Sequence, residues 1–214
     1  MAMNDGKRPP GPATARAAVS LTKANPTVSL STRGGSSGQL HVNLNWQSGS
    51  LRRGLFAKQG GGIDLDLGAL YELSDGTKGV VQAVGRCFGA ADRPPYIWLD
   101  GDDRSGGYVG GENLYIELSY AAHIRRVLVF ASIYEGAPRF DAAQAVVTIT
   151  PASGAPIIMR LDEAAGTRRT CAVAQLINEA GELTIHREVR FIDGNQQELD
   201  AAYRWGMTWS PMRR

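Results

Sequence analysis

Between Leu40 and Trp46 the sequence LHVNLNW alternates strictly. Leu40, Val42, Leu44 and Trp46 fall on one face of an extended chain, and His41, Asn43 and Asn45 on the other, which predicts a strand with one face in a core. IDLDLGALYEL repeats the period, with Ile63, Leu65, Leu67, Ala69, Tyr71 and Leu73 on one side. Asp64 and Asp66 must then share the opposite side, with Cα atoms roughly 6.5–7 Å apart. SDGTKG contains an Asp-Gly turn and leads into GVVQAVG, the returning strand of a hairpin. Shorter strands are predicted at YIWL and NLYIEL, and IRRVLVFASIY is so continuously apolar that it predicts a central strand covered on both faces. AVVTIT, PIIMRL, CAVAQLI and LTIHREVRFI continue the series, separated by the turn signals ASGAP, DEAAGT, NEAGE and DGN. The pattern predicts a mainly β fold, an antiparallel β-sandwich of about ten strands. One short C-terminal helix is expected over QQELDAAYRWG, where Leu199, Ala202, Tyr203 and Gly206 recur at helical spacing behind Asn195 as a cap.

Composition adds bounds to this picture. A chain of 214 residues, 43% of them hydrophobic, can bury a substantial core. We read residues 1–17 as a disordered, basic and proline-rich arm and 18–214 as a single sandwich domain. QSGSLRRGLFAKQGGG, aperiodic and rich in Gly and Ser, reads as a mobile loop. The 23 basic and 21 acidic residues nearly cancel, giving no reason to expect nucleic acid or an acidic membrane as a partner. No run of about 18 apolar residues and no signal-peptide pattern is present. Two cysteines, Cys87 and Cys171, without paired spacing, indicate neither a disulfide framework nor a thiolate zinc cluster, and suit a reducing cytoplasm.

The chemistry concentrates in LDGDDRSGGYVGGENLYIEL, from Leu99 to Leu118, where Asp100, Asp102, Asp103 and Glu112 stand among five glycines with Arg104 as the only basic side chain. An EF-hand register fails here, because a loop begun at Asp100 has Arg104 in its fifth place and Gly111 in its twelfth. A hard cation needs only six to eight oxygens from carboxylates, carbonyls and water, so a cation site and a solvated acidic turn both remain open. Asp64 and Asp66 could supply further charge. No HExxH, CxxC or GxxxxGK[ST] pattern occurs. His41, His123 and His186 are scattered and read as surface or interstrand residues, and Cys87 and Cys171 as core or semi-core thiols rather than nucleophiles. Arg125 and Arg126, as strand neighbours, are expected to face opposite sides. Asp64 and Asp66 as a glycosidase acid pair would need a sugar groove, which an aromatic share of 7% does not suggest.

IDLDLGALYELSDGTKGVVQAVG, PPYIWLDGDDRSGG, GGENLYIEL and RRVLVFASIYEG together resemble the TerD-domain family of tellurium-resistance and general stress proteins, and within it the TerA branch. The likeness runs from about Val19 to the C-terminal GMTW. It implies a calcium-binding β-sandwich without established enzymatic activity, acting in bacterial stress response. The family's DxD strand and acidic GD[ND]R[ST]G loop carry over onto Asp64, Asp66, Asp102, Asp103 and Glu112 as metal ligands, with Asp100, Asn113 and Glu135 as weaker candidates. Where the TerD branch continues with acids, this chain has Gly107, Tyr108, Val109, Gly110 and Gly111, which implies a reduced site of weaker affinity. The resemblance further implies related stress proteins as partners, association with the inner membrane, and a cytoplasmic location. Two other readings compete: an enzyme reducing tellurium oxyanion through cysteine, and a metal-free scaffold.

Overall fold

A computed structural model describes residues 17–30, 37–47, 63–101, 110–135 and 139–209. Among these residues there are thirteen strands: β1 (Val19–Ser20), β2 (Thr27–Ser29), β3 (Gln39–Asn45), β4 (Asp64–Leu73), β5 (Lys78–Gln82), β6 (Gly89–Ala90), β7 (Ile97–Leu99), β8 (Glu112–Glu117), β9 (Ile124–Glu135), β10 (Val146–Thr150), β11 (Ile157–Arg160), β12 (Thr170–Glu179) and β13 (Glu182–Ile192). Two helices, α1 (Phe140–Ala143) and α2 (Gln196–Tyr203), complete the set with 3₁₀ turns at Val84–Arg86 and Leu118–His123. The strands form a seven-stranded sheet ordered β1-β11-β10-β3-β8-β7-β6 and a six-stranded sheet ordered β2-β13-β12-β9-β4-β5. Every pairing is antiparallel except β1 with β11.

The mainly β, sandwich-like fold expected from period-two patterning is what these residues adopt, because the alternating apolar sides of the two sheets share one core. Leu40, Val42 and Leu44 of β3 and Leu114 and Ile116 of β8 belong to the same buried cluster as Leu65, Leu67 and Ala69 of β4 and Val127, Val129 and Ala131 of β9. The β4–β5 hairpin closes as the Asp-Gly signal predicts: Leu73 and Thr77 are bonded across the turn and the Asp75 carboxylate accepts from the Thr77 N–H at 2.8 Å. The strand expected over GVVQAVG ends at Gln82, where the chain tightens into a 3₁₀ turn.

The second sheet has a covered outer face, which explains the continuous hydrophobicity of β9. Leu70, Leu128, Phe130, Ala172 and Ile192 point outward from β4, β9, β12 and β13 into a second cluster closed by Leu199 of α2 and by Trp205. The helix begins with a capping box, Asn195 accepting from the Gln197 N–H and Glu198 reaching back to the Asn195 N–H. It ends at Tyr203 rather than Gly206, because Arg204 takes a left-handed conformation and turns the chain over the sheet. Asp200 then fixes the following segment by accepting from the Gly206 and Met207 N–H groups and the Trp209 indole.

Two expectations are corrected. Arg125 and Arg126 do not act on opposite sides: both donate to the Glu72 carboxylate at 2.7 Å. The pairing Glu72–Arg126 is followed by Leu73–Ile124, so Arg125 is an extra residue on β9, and this bulge turns its side chain toward Glu72. Cys87 is exposed rather than semi-core, since it sits past the 3₁₀ turn that ends β5. The N-terminal arm, apart from Ala17, and the 48–62 part of the expected loop lie outside the described residues.

Candidate functional site

The start of β4 is held in place before its acids are reached. The Trp46 indole at the end of β3 donates to the Ile63 carbonyl at 2.7 Å, tying the two sheets together one residue ahead of Asp64. β4 then pairs with β9 along its whole length, but with β5 only from Gly68 onward. Among the described residues its first positions therefore have no strand on that side.

Asp64 and Asp66 are both buried and lie on the face opposite Leu65 and Leu67, as the alternation predicts. Directly across from Asp66 on β9 is Ser132, and across from Ser132 on β12 is Thr170. Asp64 is in register with Glu135, with Tyr134 as an extra residue between the pairings. Arg169 donates to the carbonyls of Ile133 and Tyr134 at 2.8 and 2.9 Å, bracing this bulge. Further along the same face, Phe130 covers Gly68: a Cβ there would meet the ring at 2.4 Å, so glycine is what lets the aromatic side chain cross β4. The ring belongs to the apolar cluster beneath α2, which the polar row of Asp66, Ser132 and Thr170 therefore borders.

Glu112 reaches the same strand from the other sheet. It is 2% exposed, at the first position of β8, and its carboxylate accepts the Leu67 N–H that β5 leaves unpaired. Its placement depends on Gly111, whose φ of +66° and close approach to the Leu44 carbonyl, 2.1 Å from an added Cβ, exclude any other residue. Asn113 has its side chain on the opposite face of β8. There its amide donates to Asp100 at 3.0 Å, and its side-chain oxygen accepts from Asn43 at 2.9 Å and pairs with His41 at 2.7 Å. His41, Tyr115 and Trp98 stack in a row on that face, with centroids 4.8 and 4.4 Å apart.

Asp64, Asp66 and Glu112 are thus brought to one strand, whereas Asp100 and Asn113 are engaged with one another on the far face of the other sheet. Asp102 and Asp103 lie outside the described residues. Among the described residues no three His, Cys, Asp or Glu side chains converge closely enough to hold an ion. The donors at the start of β4 nonetheless suit a hard cation in kind: two buried carboxylates on one face, and beside them the Ser132 hydroxyl, a buried oxygen without a hydrogen-bond partner among the described residues. Ser132 was not apparent from the sequence, because its significance depends on strand register. An open cavity of about 340 Å³ at the other end of β4's sheet, lined by Lys78, Gly79, Val80, Met207, Thr208 and Trp209, has no carboxylate in its wall.

The thiols offer little reactivity as a pair. Burial pushes the Cys171 thiol well above its ordinary value, while Cys87 is on the surface. No helix among the described residues is long and apolar enough to cross a membrane.

The architecture is that of a β-sandwich with buried acids at one end of a sheet. No family model matches the chain. Over 195 residues, 90% of its length, it is 43% identical to the tellurium resistance protein TerA of Alcaligenes sp.. Identity at that level makes the chain a homologue of TerA, related to the tellurium-resistance proteins as its motifs imply. The chain spans 57% of that protein's length.

Proposed function

We propose that the chain is a non-catalytic, calcium-binding stress-response protein with a role in tellurium resistance, of the TerD-domain kind. The relationship to TerA supports the role. The observation that carries calcium binding is the burial of Asp64 and Asp66 side by side on a strand whose start is fixed from both sheets. Two carboxylates kept out of water on one face are an oxygen pair of the kind that a hard cation takes. Bound calcium supplies positive charge and accepts oxygen ligands only. Asp64 and Asp66 would hold it, with Asp102, Asp103 and Glu112 as the remaining acids. The protein's own part is rigidity: Trp46 and Glu112 keep β4 in one position, and Arg169 sets the bulge beside Asp64.

Partners in this reading are related stress proteins, met in the cytoplasm or at the inner face of the membrane. Calorimetric titration with calcium chloride tests the central claim. Wild type binds, while Asp64→Asn/Asp66→Asn and Asp102→Asn/Asp103→Asn lose most of the heat; absence of binding to wild type refutes it. In a tellurite-challenge assay Cys87→Ser/Cys171→Ser retains resistance, and loss of resistance there would instead support cysteine redox chemistry.

A further inference from the structure

We infer that Ser132 is a neutral oxygen ligand of the cation held by Asp64 and Asp66, an inference that rests on the calcium-binding reading above. Ser132 lies on β9 directly across from Asp66. Residues so placed in an antiparallel pair carry their Cβ atoms about 4.5–5.5 Å apart on the same face, so both side chains serve one small volume. The Ser132 Oγ is shielded from solvent and has no hydrogen-bond partner among the described residues.

Such a hydroxyl is unusual. Buried polar groups are almost always bonded, and an exception calls for a reason of its own. Thr170, its neighbour on the other side, donates its hydroxyl proton to the Gly194 carbonyl at 2.7 Å and so has none to give Ser132. Phe130, two residues earlier on β9 and covering Gly68, offers only carbon on that flank. Asp66 is opposite, yet the Ser132 hydroxyl does not donate to it. A position that wants an oxygen lone pair beside a carboxylate, rather than a donated proton, explains why serine stands there. Calcium takes six to eight oxygens and accepts neutral ones readily. A hydroxyl adds a ligand without adding to the repulsion between Asp64 and Asp66.

The test compares wild type, Ser132→Ala and Ser132→Thr by calorimetric titration with calcium chloride, and by terbium luminescence lifetimes in light and heavy water, which count metal-bound waters. Ser132→Ala weakens calcium on the order of ten-fold, as for a hard cation losing one of its oxygens, and gains about one bound water. Ser132→Thr, which keeps the hydroxyl, restores both values. Without calcium the thermal midpoint of Ser132→Ala is unchanged or raised, because an unbonded buried hydroxyl is removed. If wild type and Ser132→Ala bind calcium equally and carry the same number of waters, the ligand role of Ser132 is overturned and the calcium site stands. Failure of Ser132→Thr to restore binding overturns it equally. If wild type itself binds no calcium, the calcium-binding reading falls and this inference falls with it.

Discussion

At the scale of single residues, the β4 strand gives its neighbours little latitude. Gly68 lies beneath the Phe130 ring, which is itself fully buried, so the ring cannot swing away when a methyl group is added. Gly68→Ala is expected to destabilise the protein by about 1–3 kcal/mol, the usual range for overpacking. Chemical denaturation measures it, and a neutral result would mean that Phe130 has room to move. Glu112 allows a sharper separation, since its carboxylate accepts the Leu67 N–H while also being a candidate ligand. Glu112→Gln keeps an acceptor oxygen and should leave calcium-free stability near wild type while weakening calcium. Glu112→Ala strands the amide and should cost about 1.5–3 kcal/mol in either condition. Equal calcium affinity in wild type and Glu112→Gln would confine Glu112 to holding the strand edge.

At the scale of elements, β4 and β9 are locked at their far end by Glu72 with Arg125 and Arg126, whose side chain also stacks on Trp205 at 3.8 Å. Burial alone would raise the Glu72 pKa, but the hydrogen bond and charge of Arg126, then the charges of Arg125 and Lys78, outweigh it and hold it below the ordinary value of 4.5. A carboxyl depressed in the folded state contributes stability that is whole above its unfolded pKa and is lost as pH falls through the folded one. The thermal midpoint of wild type should therefore exceed that of Glu72→Gln at pH 6–7, and the gap should shrink as pH falls below the ordinary carboxyl range and close once the lowered folded pKa is passed; a gap that persists in acid would refute the assignment. The sequence announced this pair of strands, since IDLDLGALYEL and IRRVLVFASIY have unmistakable periods. It did not announce the grouping of Arg125 with Arg126, because a one-residue bulge overrides the alternation that period-two reasoning assumes. β1, β2 and β6 escaped for another reason: two or three residues are too few to display a period. The acids were legible as a pattern, whereas Ser132 acquires meaning only once β9 is set against β4 in register.

At the scale of the whole molecule, the expected calcium response is local in origin and global in readout. Part of the outer face of the second sheet is closed by Leu199 and Trp205 over an apolar cluster, which no ion is needed to complete. The start of β4 buries Asp64 and Asp66 on that same face. A ligand that binds the folded chain alone stabilises it by mass action, about 2.7 kcal/mol at a hundred-fold excess over Kd. For a chain of this size that raises the thermal midpoint by about 5–10 °C. Asp64→Asn/Asp66→Asn should abolish the shift. Hydrogen exchange should locate the effect: calcium increases protection in Asp64–Leu67 and the facing end of β9, and chelation reverses it. A calcium shift retained in the double variant, or protection gained away from the start of β4 and its neighbours, would put the cation elsewhere in the molecule and free the β4 acids from the role assigned to them.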